Sequence, residues 1–148
     1  MMRRFLYIII GVCLCGMSSC ELHRSNNGDL DGYWHLIRVD TLSTGGWYDM
    51  SERLVFWGVQ ANLIEAVDHE NDPVHYGYLF YFEKTETSLR VFNAYKHDRA
   101  NGDIKVTDVA DIASLGINSL DDVFQILSLN SDKMILADNQ LRLVFRKQ

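Results

Sequence analysis

The side chains able to do chemistry sit in a few places. All three cysteines, Cys13, Cys15 and Cys20, lie within the first twenty residues. Thiolates serve as nucleophiles, metal ligands and disulfide partners, and none lies beyond position 20. The five histidines are His23, His35, His69, His75 and His97, and no two stand at close ligand spacing. His23 lies in a polar stretch, and His69 and His97 in expected turns. His35 and His75 fall in expected strands and would meet only across a sheet, so exposed strand positions are expected for them rather than a zinc site. The acids gather at Asp68, Glu70 and Asp72 and at Asp121-Asp122. Paired carboxylates do acid–base work only when a fold sets them about 5–10 Å apart around a bond, and these read as turn formers. The 68–72 segment lacks the glycine and the terminal glutamate of a calcium loop. No nucleophile elbow, phosphate loop or dinucleotide glycine pattern is present. The expectation is a protein that is not an enzyme and uses no metal or cofactor.

Cys20 has a context of its own. Arg3 and Arg4 precede an apolar run, Phe5 to Cys15, and Gly16-Met17-Ser18-Ser19-Cys20 follows. A charged start, a short apolar stretch and small residues before a cut make a secretory signal. The run is too short for a bilayer core, which needs about 20 residues. Met17-Ser18-Ser19-Cys20 resembles the lipobox of bacterial lipoproteins: an apolar residue, two small ones, then cysteine. The resemblance implies a signal over 1–19, removal of Cys13 and Cys15 with it, and acylation of Cys20. An ordinary signal, or an uncleaved anchor that carries a cysteine, is the alternative. The resemblance places the protein in a Gram-negative cell envelope, held on a membrane through Cys20. Glu21 stands where an aspartate would retain some lipoproteins at the inner membrane, which favours the outer one.

The export reading leaves one domain's length of chain, with a core large enough to need no disulfide. Formal charge moves from −6 for the whole chain to −8 after position 19, because only Arg3 and Arg4 are lost. Nucleic acid is excluded as a partner, since phosphate binding needs clustered Lys and Arg. Residues 20–30 are polar and read as a flexible tether.

Any site must be carried by the elements of residues 31–148. Short β-branched and aromatic runs, each closed by a polar turn, span Tyr33 to Val39, Arg53 to Val59, Asn62 to Val67, Val74 to Phe82, Leu89 to Tyr95, Val123 to Leu129, Met134 to Ala137 and Leu141 to Phe145. Asp138-Asn139 suits a tight hairpin. About eight strands at this spacing predict an all-β fold, an antiparallel up-and-down barrel, because hairpins in series close without leaving edges. Val109, Ile112, Ala113 and Leu115 suit one face of a short helix, with Thr107 or Asp108 as N-cap and Gly116 as C-cap. That helix would come before the last three strands and plug one end.

Gly32-Tyr33-Trp34 resembles the Gly-x-Trp start of a lipocalin. Leu141 to Lys147, alternating apolar residues ending in Phe and basic residues, is similar to the closing strand of lipocalin-like domains in bacterial lipoproteins. The resemblance implies an eight-stranded barrel with Trp34 packed across its closed end, and no inherited activity. It would set the Gly45-Gly46-Trp47-Tyr48 loop at the open end, where Trp47 and Tyr48 are candidate ligand contacts. Tyr76 and Tyr78 join them from the aromatic run, which is apolar on both faces. Two partners follow as expectations: a small hydrophobic ligand in the barrel, or an envelope protein on its aromatic wall. The large residues favour a filled interior over a hollow one.

Overall fold

The structure is a computed structural model that describes residues 25–71 and 76–148. Cys20, the signal, His23, Asp72 and His75 lie outside the described residues. The strands are β1 (Gly32–Thr41), β2 (Gly46–Asp49), β3 (Val55–Gln60), β4 (Leu63–Asp68), β5 (Tyr78–Lys84), β6 (Ser88–Lys96), β7 (Ile104–Lys105), β8 (Asp121–Leu129), β9 (Lys133–Ala137) and β10 (Leu141–Lys147). Eight of them form a closed antiparallel barrel in the order β1-β3-β4-β5-β6-β8-β9-β10, with β10 returning to β1. The all-β up-and-down barrel read from the turns is therefore the fold. The two short strands are additions: β2 pairs with the far half of β1, and β7 with the end of β6.

Period-two patterning decides what faces in. Val55, Trp57 and Val59 of β3 are buried and alternate with Phe56, Gly58 and Gln60, as a pleated strand requires. Phe80, Leu89, Val91, Phe124, Met134, Leu136, Leu143 and Phe145 fill the same interior. Trp34 stands opposite both Trp57 and Lys147 in the register. Register shifts interrupt β1 between Leu36 and Arg38, the β5–β6 pair beyond Leu79, and β8 between Ile126 and Ser128. At the second, Asn93 takes φ 51. Such bulges bend and twist strands enough to close a barrel.

The two ends differ. One is closed by short turns at 61–62, 85–87 and 130–132 and by a 3-10 turn over Gly28–Leu30. Leu30 is wholly buried there, and its carbonyl accepts the Trp34 indole N–H at 2.8 Å. Lys147 lies 4.7 Å above the Trp34 ring. Trp34 thus packs at the closed end. Ser25 to Leu30, read from composition as tether, are bound in: Ala61 N–H donates to Ser25 Oγ at 2.7 Å, and Asn27 Nδ2 donates to the Ala61 carbonyl at 2.7 Å.

The other end carries the long connections. The helix expected over 109–116 is present as two 3-10 turns, Val109–Asp111 and Ala113–Leu115. Asp108 is its N-cap, accepting the Ala110 N–H, and Gly116 ends it at φ 85. The tighter helix suits the spacing of its two buried side chains, Ile112 and Leu115, since residues three apart share a 3-10 face. Val109 and Ala113, expected on the buried face, are exposed.

Candidate functional site

The interior is occupied by the protein's own side chains. Trp57 lies 4.9 Å from the Phe145 ring and 6.2 Å from that of Phe124. Its indole N–H donates to the Leu115 carbonyl at 3.1 Å, tying the 3-10 segment to the barrel wall. Ile112, Leu115 and Ile117 are fully buried under the open end. Leu143 sits so close to Gly116 that a Cβ there would meet it at 3.0 Å. The segment is a fitted plug.

The aromatic candidates divide between two sides of the mouth. Trp47 and Tyr48 belong to β2 rather than to a loop, and are 61% and 60% exposed. They do not fold back onto the core. The Arg38 guanidinium lies 4.8 Å over the Trp47 ring. Tyr76 is exposed beside His97, with the Arg99 guanidinium 4.5 Å over its ring. Tyr78, on β5, is half-buried against the core. Because β3 and β4 separate β1 from β5 around the barrel, Trp47 with Arg38 and Tyr76 with Arg99 form two aromatic–arginine patches rather than one pocket.

The titratable groups are accounted for by local structure. His35, expected on an exposed face, is buried: its Nε2 lies 2.7 Å from the Arg53 carbonyl and its ring stacks on Phe56. His97 Nδ1 lies 3.2 Å from Glu65 Oε1. Burial pushes the Asp68 carboxyl up, but hydrogen bonds from the Asn71 backbone and side chain and from the Glu70 N–H outweigh it and hold it below its ordinary value. Asp121 is held low by two hydrogen bonds from Arg90, at 2.8 and 2.7 Å. Asp122 beside it is buried and pushed up by desolvation. Among the described residues, no group of three or more His, Cys, Asp or Glu is placed to hold a metal ion.

One feature has no single-motif signal in the sequence. A groove of about 700 Å³ runs along the outer wall near the closed end, lined by Ser25, Asp31, Tyr33, Gly58, Leu63, Glu65 and Leu79 among others. Register makes it: Tyr33, Gly58, Glu65 and Leu79 stand side by side on β1, β3, β4 and β5. Gly58 is its low point, where a Cβ would meet the Tyr33 ring at 3.3 Å. Burial, and then the Glu65 charge, raise the Tyr33 phenol above its ordinary value.

The lipocalin-like domain family matches residues 13–148. The chain belongs to that family. Among solved structures it is similar to a lipocalin-like protein from Bacteroides uniformis, at 17% identity and a TM-score of 0.63, covering 82% of this chain and all of that one. An uncharacterized protein from Bacteroides eggerthii superposes at 16% identity and a TM-score of 0.60, covering 80% and 98%. At these identities the likeness is one of fold. No curated protein gives a significant match. The lipocalin-like barrel is thus common to all three chains, while the mouth patches and the outer groove are read from this chain's own residues.

Proposed function

We propose that this is a lipid-anchored envelope lipoprotein whose lipocalin-like barrel works as an interaction module. Cys20 carries the anchor, and the open end, turned away from it, meets an envelope protein partner. The observation that carries this reading is the filled interior: Trp57, Phe124 and Phe145 pack together and Ile112, Leu115 and Ile117 seal the mouth. Around the open end the barrel exposes the aromatics Trp47, Tyr48 and Tyr76 and the aliphatic Leu54. Aromatics flanked by arginine are over-represented where proteins bind one another. Native mass spectrometry of the protein drawn from its own membrane tests this. The expected spectrum holds the acylated chain with a protein partner, and a Trp47→Ala/Tyr48→Ala double variant loses that partner while its thermal unfolding stays unchanged. A complex that survives the double variant sinks the mouth assignment. Acyl labelling that persists in Cys20→Ala sinks the anchor.

A second reading is supported by the family's barrel, which can hold a small apolar molecule when side chains leave room. Here the plug stands where such a ligand would sit, so binding would require the 107–117 segment to withdraw. A small-molecule mass retained by the native chain, with no protein partner, favours it.

A further inference from the structure

We infer that the outer-wall groove between Tyr33 and Leu79 is the face that the protein lays against the lipid surface. The inference rests on the anchor at Cys20 and adds which wall of the barrel the anchor brings down. The chain length fixes the geometry. Five residue steps separate Cys20 from Ser25, and even fully extended they span no more than about 17–18 Å. Ser25 is itself part of the groove. It is also immobilised there: its hydroxyl accepts the Ala61 N–H at 2.7 Å and donates to the Asp31 carboxylate. An acylated Cys20 sits at the membrane interface, so this wall cannot lie far from it.

Side chains then choose between standing on the closed end and lying on the wall. The closed end presents the polar turns Thr85-Glu86-Thr87 and Asn130-Ser131-Asp132. The wall presents Tyr33 and Tyr81, 42% and 41% exposed, with Leu63 and Leu79 half-buried between them. Leu63 and Tyr81 stand opposite each other in the β4–β5 register. Tyrosines flanking aliphatic residues suit the headgroup layer, where one end of the ring is apolar and the phenol stays wet. The two carboxylates on this wall already have partners. Asp31 accepts from Ser25, from the Asn27 N–H at 3.0 Å and from Asn27 Nδ2 at 2.7 Å; Glu65 faces His97. Asp31 is thus held by three donors, while Glu65 keeps a 46% exposed side chain that can reach past the ring of tyrosines and leucines to the wet headgroup layer.

With Cys13 and Cys15 removed with the signal and Cys20 acylated, no other thiol remains, which makes a clean test. Leu79→Cys, and separately Tyr81→Cys at the exposed position, are labelled with an environment-sensitive fluorophore in the full acylated protein. The comparison is Val123→Cys on β8, which lies across the barrel from β3, the strand at the floor of the groove, and is 54% exposed. Each is bound to phosphatidylethanolamine–phosphatidylglycerol vesicles carrying a shallow nitroxide-lipid quencher. Quenching several-fold stronger at 79 and 81 than at 123 is expected. Equal quenching, or stronger quenching at 123, in a chain whose intact mass carries the acyl groups overturns the groove assignment and leaves the anchor standing. An intact mass with a free Cys20 thiol overturns the anchor, and the assignment with it. Shielding of 79 and 81 that appears only when an envelope protein is added to the vesicles gives the wall to that protein instead.

Discussion

Asp40 of β1 is buried beneath two guanidiniums. Arg142 faces it from β10 and donates to Oδ2 at 2.7 Å through Nε; Arg38, two residues back on β1, donates to Oδ1 at 2.5 Å. Burial pushes the carboxyl up, but the hydrogen bonds from Arg38 and Arg142 outweigh it and hold it below its ordinary value. A carboxyl lowered in the fold contributes stability above its unfolded pKa and loses it as pH falls through the folded one. Asp40→Asn should therefore cost about 1–3 kcal/mol at pH 7. The gap from the parent should shrink as acid protonates the parent's carboxylate; urea titrations at pH 7 and pH 3 check this, and a gap constant with pH would refute it. Asp122 has the opposite sign. Burial raises it, the Asn118 N–H at 3.0 Å opposes that, and the nearby Asp138 charge raises it further. Its stability contribution is full below the ordinary carboxylate value and lost as pH rises through the raised one. Asp122→Asn keeps the acceptor and removes the charge, so it should be more stable than the parent at pH 7 and should flatten the loss of stability as pH rises above the ordinary carboxylate range. A variant less stable at pH 7 would show that the carboxylate is needed as an ion.

At the scale of elements, the plug is where structure and stability meet. Trp57 holds the Leu115 carbonyl from β3, fifty-eight residues away in sequence. Trp57→Phe keeps ring packing on Phe124 and Phe145 but leaves that buried carbonyl without its donor, a loss of about 1–3 kcal/mol. Hydrogen exchange should quicken first over 112–117, ahead of the strands; uniform protection across the domain would mean that the plug does not open separately. The plug was legible as a capped apolar segment because Asp108 and Gly116 are local signals. Its 3-10 form was not, since two buried residues three apart satisfy either helix for a single turn. Strand β2 carries no sequence mark for a related reason. Gly46–Asp49 is only four residues long and exposed throughout, so no alternation marks it. Its pairing is imposed by β1, whose far half bends away from β3 and takes a new neighbour. The burial of His35 has no sequence mark, because one histidine among apolar residues says nothing of the Arg53 carbonyl it meets.

At the scale of the molecule, the barrel itself was plain in the sequence because each hairpin advertises its turn and each strand its period. What fills the barrel was less plain, because interior volume depends on how eight strands combine with a segment from between two of them. The filled interior makes a quantitative prediction. Phe124 is fully buried against Trp57. Phe124→Ala should cost about 3–5 kcal/mol and leave an apolar void, since the surrounding strands are held by their ladders and relax only in part. Dry cavities of that kind take up benzene. The parent protein should show no thermal stabilisation by benzene and no shifts of the Leu136 and Leu143 methyl resonances. Phe124→Ala should show both, because a ligand that binds only the folded state raises its stability by mass action. Benzene shifts at Leu136 and Leu143 in the parent would mean that the barrel already holds a usable hollow, and would move the proposal from a partner at the mouth to a small apolar ligand within.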